Sequence, residues 1–111
     1  MIFTKVKNLV ITRGDSLIFN FEVVDLQSAL TSAYFSIKRN YSDTNYVVQK
    51  SLSNGITLVD TGVYKVRVAP SDTANLDLGS YYYDLQINIS GDVYTILKGN
   101  LKIEYDVTEE V

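Results

Sequence analysis

The run Leu76-Asp77-Leu78-Gly79-Ser80-Tyr81-Tyr82-Tyr83-Asp84-Leu85-Gln86-Ile87 carries the reading from which the fold follows. It joins a D-x-G-x-Y turn to a strict alternation. Tyr81, Tyr83, Leu85 and Ile87 fall in one phase; Tyr82, Asp84, Gln86 and Asn88 fall in the other. A period of two marks a β-strand with one face on a core.

The same period recurs on either side of this strand. Leu17, Phe19, Phe21 and Val23 alternate with Ile18, Asn20, Glu22 and Val24. Ala33, Phe35 and Ile37 alternate with Tyr34, Ser36 and Lys38, and Tyr64, Val66 and Val68 with Lys65 and Arg67. Lys5 to Thr12 is rich in β-formers, Tyr46 to Leu52 reads as an edge strand and Ile56 to Val59 as a short one. Turn residues punctuate them at Arg13-Gly14-Asp15-Ser16, Ser53-Asn54-Gly55, Asp60-Thr61-Gly62 and Ser90-Gly91-Asp92. Pro70 ends a strand, and Ser71 to Leu76 reads as one helical turn with Ser71 as N-cap. From Val93 to Tyr105 the apolar phase switches, which predicts a β-bulge near Gly99. Asp106 to Val111 reads as a frayed acidic tail.

The count is eight or nine short strands with no helix beyond one turn, the pattern of an antiparallel sandwich. Within that pattern, Asp77-x-Gly79-x-Tyr81 resembles the tyrosine corner of immunoglobulin-like sandwiches. There a Tyr near the start of a strand hydrogen-bonds back across the turn leading into it. The expected fold is therefore all-β: a single immunoglobulin-like antiparallel β-sandwich over residues 1–111. D-x-G-x-Y also occurs at Asp60-Gly62-Tyr64, which reads as a second, similar turn into a strand.

The composition excludes several classes of chemistry. The 111 residues suffice for one domain with a core of its own, and 46% are hydrophobic. There is no cysteine, so no disulfide, thiolate nucleophile or thiolate metal site. There is no histidine, so the usual general base is missing too. The net charge is −3 and the basic residues are scattered, which argues against nucleic acid and membrane surfaces as partners. No stretch approaches the ~20 apolar residues of a membrane span, and Met1-Ile2-Phe3-Thr4-Lys5 does not read as a signal peptide. No catalytic, cofactor-binding or metal-binding set is expected.

Three short motifs have a sharp reading and a plain one. Arg13-Gly14-Asp15-Ser16 spells an integrin-binding tetrapeptide, and it is also what a tight turn needs. Asp60-Thr61-Gly62 resembles the D-T-G of retroviral-type aspartic proteases, whose dimers share a carboxyl dyad. Val63-Tyr64 follows where that family has Ala or Ser, and the expected downstream loop is poorly matched at Thr95 to Gly99, so a polar turn is preferred. Asp43, Asn45 and Asp92 are loop acids and amides without calcium-loop spacing.

Of the nine tyrosines, Tyr64, Tyr81, Tyr83 and Tyr94 sit in inward phases. Tyr34 and Tyr82 sit in outward phases of strands that neighbour each other in an immunoglobulin-like sheet, and Tyr41 and Tyr46 follow in the next loop. Tyr34, Tyr41, Tyr46 and Tyr82 are the candidate interface. The plain alternative is a set of unrelated surface tyrosines.

Several longer strings carry a further resemblance. They are Leu9-Val10-Ile11-Thr12-Arg13-Gly14-Asp15-Ser16, Tyr34-Phe35-Ser36-Ile37-Lys38, Asn54-Gly55-Ile56-Thr57-Leu58, Gly79 to Ile87, and Val93-Tyr94-Thr95-Ile96-Leu97-Lys98-Gly99-Asn100-Leu101. In this order and spacing, from Leu9 to Thr108, they resemble small proteins of phages and prophages of Gram-positive and gut bacteria. Members read G-D in the first turn, Y-D-L-x-I, then x-Y-T-x-L-x-G-x-L, and end near D-V-T, as Asp106-Val107-Thr108 does. The resemblance implies a non-enzymatic virion component associated with tail, baseplate or fibre, or with the head. Its partners would be other virion proteins and copies of itself, and it would assemble in the bacterial host cytoplasm. The alternative function is a module recognising host-surface carbohydrate or protein.

Overall fold

The computed structural model describes residues 4–23 and 30–107. Their strands are β1 (Lys5–Val6), β2 (Leu9–Thr12), β3 (Leu17–Glu22), β4 (Ser32–Lys38), β5 (Val48–Leu52), β6 (Gly55–Asp60), β7 (Val63–Val68), β8 (Gly79–Ile89) and β9 (Asp92–Glu104). One helical turn, α1 (Pro70–Thr73), links β7 to β8. The hydrogen-bonded order is β1-β9-β8-β4-β5-β6-β7-β3, with β2 also on β9.

This order folds into two layers, one of β1, β2, β9, β8, β4 and β5, the other of β6, β7 and β3. The alternating apolar residues of both close one core, with Phe35, Ile37, Ile56, Val66, Leu85, Ile87, Leu101 and Ile103 fully buried. Phe19 of β3 meets Phe35 of β4 edge-on at 5.4 Å, across the layers. Burying a side chain of this size stabilises the fold by about 1.5–3 kcal/mol. The sandwich is immunoglobulin-like: three strands face a sheet whose central hairpin pair, β8–β9, is extended by β4 and β5.

Three features refine the expected antiparallel plan. β1 and β2 run parallel to β9. β5 and β6 are joined by a two-residue parallel register, Ser51 with Gly55 and Leu52 with Ile56, so the expected edge strand is where one layer turns into the other. The stretch Lys5 to Thr12 is two strands, because the chain breaks step at Lys7 and Asn8.

The expected bulge is displaced. The shift of register is not at Gly99: Leu85 faces Leu97 while Gln86 faces Thr95, which leaves Ile96 as the extra residue. Gly99 has a different reason. It lies opposite Tyr83, and a Cβ there would stand 2.1 Å from the Lys7 carbonyl oxygen. The Tyr83 hydroxyl donates to that same carbonyl. The inward position at Gly99 is thus taken by backbone arriving from β1.

Two further corrections concern ends. The N-cap of α1 is Ala69, not Ser71; Pro70 takes the first helical position, where a missing N–H costs nothing. The Asp72 carboxylate accepts the Ala69 N–H at 2.8 Å and meets Lys50 Nζ at 2.9 Å, tying α1 to β5. Asp106 is not frayed: Arg13 holds its Oδ1 through Nε at 3.2 Å and Nη2 at 3.0 Å. Residues 108–111, the rest of the expected tail, lie outside the described residues, as does Val24 of the second alternating run.

Candidate functional site

The outward face of β4, β5, β8 and β9 is where the candidate tyrosines lie. On β8 the inward residues Tyr81, Tyr83, Leu85 and Ile87 are buried. The outward ones, Tyr82, Asp84 and Gln86, are half-buried rather than exposed. Tyr41 from that loop stacks on Tyr82 with ring centroids 3.8 Å apart and planes at 25°. Lys38 Nζ lies 5.0 Å from the centre of the Tyr46 ring.

Register fixes how the four tyrosines relate. Tyr34 stands opposite Gln86, Ser36 opposite Asp84, and Lys38 opposite Tyr82. Tyr34 and Tyr82 therefore share a face but do not touch. Four residues of strand separate their rows, about 13 Å. Between them lies a concavity of about 620 Å³ with aromatic ends and a polar middle. The expected single patch is a bracketed groove.

The polar middle was missed as a site at the sequence level, although Asp84 and Gln86 were already in the outward phase. Gln49 of β5 donates through Nε2 to Ser36 Oγ at 3.1 Å, which fixes its amide. Asp84 faces Ser36 on one side and Lys98 of β9 on the other. Burial pushes its carboxyl above the ordinary aspartate value, and the nearby charges of Lys38 and Lys98 pull the other way without cancelling it. A second, smaller concavity of about 280 Å³ adjoins Asp84 and Tyr41 on the β9 side.

Tyr64, Tyr81, Tyr83 and Tyr94 are structural. Tyr81 donates to the Asp77 carbonyl at 2.7 Å, which is the tyrosine corner. Tyr64 is buried, and its hydroxyl accepts the Leu30 N–H at 3.3 Å. Tyr94 is half-buried against the core. The second D-x-G-x-Y thus turns the chain but makes no corner of its own.

The short motifs are turns. In Asp60-Thr61-Gly62, between β6 and β7, the Asp60 carboxylate accepts the Thr61 N–H at 2.8 Å and Gly62 has φ 72°. In Arg13-Gly14-Asp15-Ser16, Arg13 is held by Asp106 and the Gly14 N–H donates to Thr73 Oγ1 at 3.0 Å. Asp43 closes its own loop by accepting the Asn40 N–H. Among the described residues no three acidic side chains gather as a metal site, and no helix is long and apolar enough to cross a membrane.

No family model matches the sequence, and no curated protein matches it. Solved structures similar in shape include the NK cell receptor Nkp44, a triggering partner in natural cytotoxicity. It is 15% identical, with 88% of this chain and 99% of that chain covered and a TM-score of 0.48. Another is the extracellular domain of the voltage-gated sodium channel beta4 subunit, described as a parallel homodimer with a role in cell-cell adhesion. It is 14% identical over 96% of this chain and 98% of that one, with a TM-score of 0.49. Neither likeness is close enough to carry a partner or an activity over to this chain.

Proposed function

We propose that this chain is a non-enzymatic structural or adaptor component of a bacteriophage particle, associated with tail, baseplate, fibre or head. It binds other virion proteins and copies of itself, needs no cofactor, and assembles in the bacterial host cytoplasm. The support is the resemblance of Leu9 to Thr108 to phage and prophage proteins, with one structural observation beside it. The molecule is a two-layered sandwich whose turns are pinned by clasps, such as Arg13 with Asp106 and Lys50 with Asp72. Its means of action is geometric: edges and faces presented to neighbours, with strand addition as one available mode. Mass spectrometry and cryo-electron microscopy of purified particles test this. The protein is expected at a fixed number of copies in an ordered position; its absence from the particle overturns the reading.

A second reading, recognition of the host surface, is favoured by the concave tyrosine face. Protein contacts through a sheet need no groove, whereas small ligands sit in concave sites of this size.

A further inference from the structure

We propose that the groove between Tyr34 and the Tyr41–Tyr82 stack binds a neutral oligosaccharide, which rests on the recognition reading above and names its ligand class. The volume of about 620 Å³ falls in the range of small-molecule sites. The length matters as well. About 13 Å of strand between the Tyr34 row and the Tyr82 row is roughly two to three pyranose rings.

The chemistry of the groove suits a ring with apolar C–H faces and a hydroxyl rim. The aromatic ends are open: Tyr34 is 41% exposed, Tyr46 48% and Tyr41 77%. None of the three belongs to the core. Tyr41 is already stacked on Tyr82, so part of the platform is ordered before any ligand arrives. Between the ends, the Gln49 amide is fixed through its nitrogen on Ser36, and among the described residues no hydrogen bond takes its carbonyl oxygen. Among the described residues no hydrogen bond or ion pair holds the Asp84 carboxylate, which lines the groove floor. Hydroxyl donors are what such acceptors lack.

Charge decides against the other ligand classes. A cationic group reaching for Asp84 meets the ammonium groups of Lys38 and Lys98 on either side of it. Lys38 already occupies the cation position over Tyr46. An anionic group attracted by Lys38 meets the Asp84 carboxylate at the floor. A neutral polyol uses both signs, as hydroxyl donor to Asp84 and as acceptor from Lys38, the lysine that lines the groove, and brings no charge to be desolvated.

The test is titration of the full chain with neutral di- and trisaccharides of glucose, galactose and N-acetylglucosamine. Binding is read by tyrosine fluorescence, which no Trp obscures, and by amide chemical shifts. At least one saccharide is expected to bind, with shifts on β4, β5 and β8. Tyr34→Ala and Asp84→Asn are expected to weaken it by roughly tenfold or more, since each removes a stacking or charged hydrogen-bond contact. Tyr105→Ala, away from the groove, is expected to leave binding unchanged; amide spectra establish that each variant is folded. Affinity should be nearly constant as salt rises, because a neutral ligand has no charge to screen. No binding of any saccharide, or binding unchanged in folded Tyr34→Ala and Asp84→Asn, overturns the proposal. Capture of a co-encoded virion protein that folded Tyr34→Ala abolishes, with no saccharide bound, also overturns it and makes the groove a protein interface. The particle-composition result stands or falls independently of all these outcomes.

Discussion

The Tyr81 hydroxyl donates to the Asp77 carbonyl four residues earlier, at 2.7 Å, while the Arg39 guanidinium lies 4.6 Å from the centre of the Tyr81 ring. Arg39 also reaches the Ser80 carbonyl. One phenol therefore fixes both the chain leading into β8 and the end of β4. Tyr81→Phe is expected to cost about 1 kcal/mol, since it removes the hydrogen bond that ties β8 to the turn before it. Urea unfolding at neutral pH would measure it. Burial raises the Tyr81 pKa above the ordinary tyrosine value. The contribution is thus fully present below that ordinary value and lost as pH rises through the higher folded one.

Gly99→Ala should destabilise by about 1–3 kcal/mol, by overpacking, because the added methyl meets the Lys7 carbonyl oxygen. Gly91→Ala meets nothing within 4 Å but sits at φ 93°. Its cost, about 1 kcal/mol, is conformational. Amide exchange separates the two: only Gly99→Ala should loosen β1 and the Tyr83 neighbourhood.

Asp72→Asn tests the anchor of α1. Burial works to raise the Asp72 pKa, but the Lys50 and Ala69 hydrogen bonds and the charges of Lys50 and Arg67 bring it below the ordinary value. Its stabilisation is therefore present above the unfolded pKa and lost as pH falls through the folded one. The variant should be about 1 kcal/mol less stable at neutral pH. The gap from wild type should close in acid.

Asp84→Asn should behave in the opposite sense. Burial raises this carboxyl, so its charged form weighs against the fold above its pKa, and the weight is relieved as pH falls through it. Thermal melts are expected to find the variant as stable as wild type or more so at neutral pH, with the difference shrinking in acid.

Native protein coated on a surface should not support integrin-dependent adhesion, because Arg13 is clasped by Asp106 and Gly14 by Thr73. Unfolded protein presenting the same tetrapeptide is the positive control. Adhesion to the folded form would show that the clasp opens.

What the sequence made legible was local. The Tyr81 corner, the turns at Asp60 and Arg13, and the outward phases of Tyr34 and Tyr82 all depend on spacing within a few residues. What it hid was set by distant chain. Gly99 looked like a bulge because an inward glycine breaks the apolar phase, yet its neighbour is Lys7, far off in sequence. The groove was hidden for the same reason: Tyr41 comes down on Tyr82 only once the loop after β4 is in place. Ser71 failed as N-cap because Pro70 takes the first helical position and Asp72 serves Ala69 from inside the turn.

The parallel pairing of β2 with β9 also has a mechanical meaning. Leu9 lies beside Leu101 and Thr12 beside Glu104. A tension applied between residue 4 and residue 107 would pull the two strands past each other lengthwise. The hydrogen bonds of that ladder would share the force rather than open one after another. The Arg13–Asp106 clasp would be strained at the same moment. A ladder wired in this way is loaded in shear rather than unzipped when the chain is stretched from its two ends.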